Sequence, residues 1–126
     1  MTLTLLSVAL GGALGASLRY LTNVSVMRLA GPGFPYGTIV ANILGSFLMG
    51  VLVVALARRG GMGYAPFLMT GLLGGFTTFS AFSLDTLTLF ERGDVELAGL
   101  YVGASVFLSL AAIAVGVFVA RAVVPG

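Results

Sequence analysis

The sequence predicts an all-α integral membrane protein with four transmembrane helices, the third of them broken near its middle. Three observations carry that expectation. Charged residues make up only 8% of the 126 residues, whereas a soluble domain needs about a quarter to cover its surface. Hydrophobic residues make up 59%, at a mean hydropathy of +1.14, in long runs separated by short breaks. A span needs roughly 20 apolar residues, so four spans fill the chain and leave no room for a soluble catalytic domain. Third, one run is interrupted by GLLGGFTTFSAFSLDT, Gly71 to Thr86, which concentrates glycines, hydroxyls, an aspartate and phenylalanines in mid-span.

The first helix is expected over residues 4–28. Its start, MTLTLLSVAL, has no basic segment and no small-residue cleavage site, so it reads as a retained span rather than a removable signal. It ends in AGPGFPYG, where Gly31, Pro32, Gly33 and Pro35 stop a helix. The second is expected over 37–57 and reaches ARRGGMG, with Arg58 and Arg59 at the interface. The third, over 66–91, opens on Pro66, which a first turn accepts, and closes in the polar ERGDVE. The fourth runs over 97–121. Short loops make consecutive helices antiparallel neighbours. Small residues recur at four-residue spacing in Gly11 and Gly15, Ala41 and Gly45, Gly71 and Gly75, and Gly99 and Gly103. Lipid gives helices no hydrophobic drive to associate, so such pairs are read as close-packing surfaces.

Other function classes fall away on composition. Without cysteine there are no disulfides or thiolate ligands, and without histidine the usual proton shuttle near neutrality is missing. A formal charge of +2 with no basic run excludes a nucleic-acid surface. Arginine placement adds a topological expectation. Arg58, Arg59 and Arg121 share one side, while Arg28 and Arg92, with Arg19 nearby, share the other. Orientation follows the bias of such residues in short loops, and here the bias nearly vanishes. The chain is therefore expected to insert both ways up and to form an antiparallel dimer with itself in the bilayer.

Several polar side chains lie where lipid should be. Asn42 is one turn beyond Thr38 in the second helix; an amide there is either interhelical glue or a donor to an anion. Tyr101, Ser105 and Ser109 line one face of the fourth helix at four-residue spacing, as packing hydroxyls or as the wall of a polar path. Arg19 is read as snorkelling to the far interface, the alternative being a cation at a pore mouth. In the interrupted stretch, paired glycines before Thr77 and Thr78 suit a helix that unwinds, which a membrane tolerates only inside protein or beside a water-filled cavity. Freed carbonyls there need partners, and a cation is one solution. Phe76, Phe79 and Phe82 follow at three-residue spacing, with Ser80 and Ser83 beside them. Ring edges carry partial positive charge and can meet a small anion.

With those residues assembled, the chain resembles the Fluc family of fluoride channels along essentially its whole length. The resemblance rests on GGALGASLRY, PYGTIVANILGSFLMG, GGFTTFSAFS, ERG and the Tyr-Ser-Ser stripe, in that order. It implies a dual-topology antiparallel homodimer in the cell (inner) membrane, with two fluoride pathways. By similarity Phe79 and Phe82 are ring-edge fluoride ligands, and Asn42 is the pore amide. Tyr101, Ser105 and Ser109 form a hydroxyl track, and Arg19 is the basic residue of the first helix. The carbonyls of Gly74 and Thr77 match a helix break that binds a structural Na⁺ at the dimer centre. Ala81, Asp85 and Ile113 depart from residues frequent in the family.

The implied activity is passive and non-enzymatic. Hydrogen fluoride crosses bilayers uncharged and dissociates inside, and a negative-inside potential drives the anion out by about 2.3 kcal/mol per 100 mV. The rival is a small proton-coupled multidrug-type exporter, also four-spanning, which needs an acid in the first helix; none is there. A non-transporting partner subunit is a further alternative. An enzyme ranks last, for want of a nucleophile–base pair or a metal cluster.

Overall fold

The computed structural model describes residues 1–126, and all regular structure in it is helical. Four stretches are long and apolar enough to cross a membrane: α1 (Thr2–Ala30), α2 (Tyr36–Arg59), a third span over Met62–Glu91, and the last helix, Val95–Val123. The third span is composite. A single 3₁₀ turn, Met62–Tyr64, leads into a π-helical stretch, Pro66–Leu73, then a short α3 (Gly74–Phe76) and α4 (Phe79–Glu91). The last helix is therefore α5. The first, second and fourth helices extend a few residues beyond the segments read from apolar runs, because residues flanking those runs still close helical hydrogen bonds. At 29 residues, α1 is roughly 44 Å long, more than the hydrocarbon thickness, so it must tilt or emerge.

The ends are set by glycine chemistry and arginine clamps. Gly60 takes φ 70° and ψ 19°, a left-handed C-cap that L side chains resist, and stops α2. Just before it, the Arg58 guanidinium donates to the carbonyls of Arg121 and Val124, both at 2.9 Å, and fastens the end of α2 to the end of α5. At the opposite end Arg92 donates to the Gly33 carbonyl at 2.8 Å and pairs with Asp94 at 2.7 Å. That joins the loop after α1 to the loop before α5.

Packing follows two close pairs, α1 against the third span and α2 against α5. A Cβ at Gly11 or Gly15 would collide with the backbone of the third span, and one at Gly71 or Gly75 with that of α1. The α2–α5 approach uses Gly50 and Gly116, each against the other helix's backbone. Gly99 and Gly103 differ from the packing expectation, since nothing in the subunit lies within 4 Å of a side chain built there. Only 18 of 126 residues are buried; the rest of the apolar surface therefore faces outward, as bilayer immersion requires. A small core, Ile39, Leu89, Ala98 and Tyr101, lies between α2, α4 and α5.

Candidate functional site: a polar groove at the helix break

The break occupies two residues. Thr77 (φ −87°, ψ 158°) and Thr78 (φ −152°, ψ 125°) are extended, between helices on either side. In a continuous helix each amide bonds the carbonyl four residues back. Thr78 would then serve Gly74, and Ala81 would serve Thr77. Neither does. The Thr78 amide donates instead to Asn42 Oδ1 at 2.7 Å, and the Ala81 amide to Thr78 Oγ1 at 3.0 Å. Thr78 is thus the N-cap of α4, and the carbonyls of Gly74 and Thr77 are released from their helical partners. The intervening Gly75 carbonyl accepts from Arg19 Nε at 3.1 Å. Free carbonyl oxygens at a break suit a hard cation that takes oxygen ligands.

Beside the break a groove of about 380 Å³ runs between α2, the start of α4 and α5. From α2 it is lined by Asn42, Gly45, Ser46 and Met49; from the break and α4 by Thr77, Thr78, Phe79 and Phe82; and from α5 by Ser105, Ser109 and Ile113, among others. Six of the candidate residues read from the sequence converge there: Asn42, Thr77, Phe79, Phe82, Ser105 and Ser109. Asn42 Nδ2 donates to the Thr78 carbonyl at 2.9 Å, so the amide bonds both polar backbone groups of one residue. Phe79 and Phe82 have centroids 5.4 Å apart at an interplanar angle of 53°. Phe79 is 78% exposed. The Ser105 hydroxyl is buried and finds no hydrogen-bond partner in the subunit.

The other candidates lie outside the groove lining. Tyr101 is fully buried behind Phe82, with centroids 5.4 Å apart, and its hydroxyl donates to Asp85 Oδ2 at 2.9 Å. Phe34 meets its ring edge-on at 88°. Thr38 is half-buried on α2, one turn before Asn42. Ser80 is exposed, its hydroxyl 3.3 Å from that of Thr78, and Ser83 is exposed and bonds back to the Phe79 carbonyl at 3.0 Å. Arg19 turns inward to the third span rather than outward along α1. Gly74 is exposed at the start of α3. The sequence places Thr78 in the break without marking it as a cap, and it does not mark Ser46 or Met49. A threonine ahead of an apolar run is a cap signal, and Ser46 and Met49 stand four and seven residues past Asn42 on one helical face.

Fold and site together define a multi-pass membrane protein with a polar groove built around an interrupted span, the anatomy of an ion-conducting protein. The family model for CrcB-like protein, Camphor Resistance (CrcB), matches residues 6–117. Three similar curated proteins carry the name fluoride-specific ion channel FluC. One from Cereibacter sphaeroides (strain ATCC 17029 / ATH 2.4.9) is 67% identical, covering 96% of this chain and 97% of its own. One from Ruegeria sp. (strain TM1040) is 59% identical, covering 98% of both chains. One from Paracoccus denitrificans (strain Pd 1222) is 58% identical, covering 94% of both. The chain belongs to the CrcB family.

Proposed function

We propose that this protein is a passive, fluoride-selective channel of the cell membrane that lets cytoplasmic fluoride leave, and that it is not an enzyme. The observation that carries this reading is the groove in which the Asn42 amide, the Phe79 and Phe82 rings and the unpaired Ser105 hydroxyl meet. These groups offer donors and positive ring edges without a full positive charge. A small, strongly hydrated anion must be given substitutes for its lost water, yet bound weakly enough to leave. Neutral donors and ring edges meet both demands. The full-length relatives named for the same ion agree with it. The proton-coupled exporter has no such support: α1 carries no acid, and the Asp85 carboxylate is engaged by Tyr101.

The working unit in this proposal is two copies in opposite orientations, with a pore on each side of the interface. The groove is open on one side, Phe79 projects from it, and Gly99 and Gly103 are uncovered; a second copy would complete all three. A structural Na⁺ at the dimer centre belongs to the same proposal, held by the carbonyls of Gly74 and Thr77. Its role is to satisfy oxygens that the break deprives of amides, and fluoride takes no step through it. Replacing Na⁺ by N-methyl-D-glucamine should lower the thermal stability of the purified protein. Equal stability in both would remove the cation from the account.

The experiment that tests the main reading is efflux from liposomes containing the purified protein, with fluoride compared against chloride. Fluoride release with chloride retained is expected. No fluoride release, or equal release of both, would overturn it.

A further inference from the structure

We infer that Asn42 is a positioning residue that keeps the third span broken, and so fixes both the phenylalanine rings and the free Gly74 carbonyl. This rests on the reading of the groove as a fluoride path, and adds to it how that path is held in shape. The geometry is a reciprocal exchange. Asn42 Oδ1 accepts from the Thr78 amide at 2.7 Å, and Asn42 Nδ2 donates to the Thr78 carbonyl at 2.9 Å. One side chain thereby does for an extended residue what a neighbouring strand does in a sheet.

The consequence runs in two directions. Toward the N-terminus, the Thr78 amide is the group that would otherwise close onto the Gly74 carbonyl; Asn42 takes it and leaves that carbonyl free. Toward the C-terminus, holding Thr78 extended lets its hydroxyl cap α4 through the Ala81 amide at 3.0 Å. The cap fixes where α4 starts, and so where Phe79 and Phe82 stand. Next to the clamp α2 carries a notch. A Cβ at Gly45 would collide with the Thr77 side chain, so the glycine gives the break room to seat.

Without the Asn42 oxygen, the Thr78 amide in an apolar setting must find another acceptor. Its i−4 helical acceptor is the Gly74 carbonyl, reached by rewinding the span. Two extended residues rise about 3.3 Å each and two helical ones about 1.5 Å each. Rewinding would therefore carry the rings by roughly 3–4 Å, half or more of a ring width. A carboxamide has two N–H groups, and only one is used on Thr78. The other remains for an ion in the groove, so clamping and contact with the anion are compatible.

The test separates position from ion contact by working without fluoride. The full-length protein carries 4-fluorophenylalanine at position 82 and is read by ¹⁹F NMR in lipid nanodiscs in fluoride-free buffer. Asn42→Ala should move the resonance, because Phe82 shifts against Tyr101. Asn42→Asp keeps an acceptor for the Thr78 amide and should hold the resonance near that of the parent. Both should lower fluoride efflux by about tenfold or more, the first through misplaced groups and the second through a carboxylate facing the anion. If Asn42→Ala fails to reconstitute, Asn42→Ser, too short to reach both Thr78 groups, takes its place with the same expectation. A resonance unmoved by Asn42→Ala or Asn42→Ser, or moved equally by Asn42→Asp, would overturn the inference. Absence of fluoride efflux from the parent protein would instead sink the channel reading and leave the Phe82 result to decide the role of Asn42.

Discussion

Arg19 Nε donates to the Gly75 carbonyl at 3.1 Å, so the one cation in the body of α1 is tied to the third span two residues before its break. In an unbroken helix that carbonyl would receive the Phe79 amide, and the extended residues between them prevent it. Arginine supplies a charge-assisted substitute. Arg19→Ala should cost about 1.5–3 kcal/mol of stability, the range for hydrogen bonds to charged groups. Thermal unfolding in detergent micelles measures it. Arg19→Lys should recover only part of the loss, since a compact ammonium presents its donors differently. A midpoint unchanged by Arg19→Ala would show that the contact bears no load.

Glycines on α1 offer an internally controlled comparison. A Cβ at Gly15 would collide with the Leu72 carbonyl and crowd the Phe76 amide, whereas one at Gly12 meets nothing within 4 Å. Backbone atoms cannot step aside as a flexible side chain can, so Gly15→Ala should destabilise by about 1–3 kcal/mol. Gly12→Ala should be neutral or slightly stabilising, by up to ~1 kcal/mol, because alanine loses less entropy in a helix. Unfolding midpoints of the two variants, measured side by side, decide this.

Phe79 and Phe82 should separate folding from conduction. Phe79 is 78% exposed within the subunit, so Phe79→Ile should change the subunit's stability by no more than about 0.5 kcal/mol. Phe82 packs on both Phe79 and Tyr101 at 5.4 Å, and Phe82→Ile should cost about 1–2 kcal/mol through lost ring contacts. Both should suppress fluoride efflux from liposomes. Full efflux in either variant would place that ring off the path.

The fold was legible because bilayer physics constrains it so tightly. Apolar runs of span length, glycine–proline breaks and arginines at the ends leave few alternatives to four helices. The break was legible too, since paired glycines before two threonines have no place in a continuous span. What remained hidden were relationships between spans. Asn42 announces itself as a costly amide, but the chain does not say that both its polar atoms go to Thr78, 36 residues away in the break of the third span. Arg19 suits snorkelling by its depth along α1, and only the third span's orphaned carbonyl explains why it turns inward. The π-helical stretch Pro66–Leu73 has no periodic signature in the sequence. Gly99 and Gly103 look like the other small-residue pairs in sequence, yet they face open space; spacing marks a close-packing surface without naming its partner.

Tyr101 can be altered without dismantling the core around it. Its ring fills the space between Phe34 and Phe82, and only its hydroxyl reaches Asp85, at 2.9 Å. Tyr101→Phe keeps the ring contacts and leaves the carboxylate without its donor. Folding should be preserved, with a cost of about 1.5–3 kcal/mol for a hydrogen bond to a charged group. Fluoride efflux should fall severalfold, because an unscreened carboxylate repels an anion more strongly in a medium of low dielectric. The double variant Tyr101→Phe with Asp85→Asn should recover much of that loss. No recovery would mean that the hydroxyl itself, rather than its hold on Asp85, serves the ion.

Ser105 provides the cleanest separation of path from scaffold. Its hydroxyl is buried, 5% exposed as a residue, and has no hydrogen-bond partner in the subunit. A buried polar group without a partner costs free energy rather than contributing it. Ser105→Ala removes that group and leaves the α5 backbone and its packing as they are, so stability should hold or rise by up to ~1 kcal/mol. Efflux should move the other way, since the hydroxyl is one of the few donors in the groove free to replace water around an anion. Ser17, whose hydroxyl is exposed and bonds its own helix at the Ala13 carbonyl at 2.7 Å, is the matched control, and Ser17→Ala should leave efflux unchanged. A protein with Ser105→Ala that is as stable as the parent and conducts fluoride equally well would show that the unpaired hydroxyl does not face the ion. A fall in efflux at full stability cannot be assigned to damaged folding, and would leave contact with the anion as its physical cause.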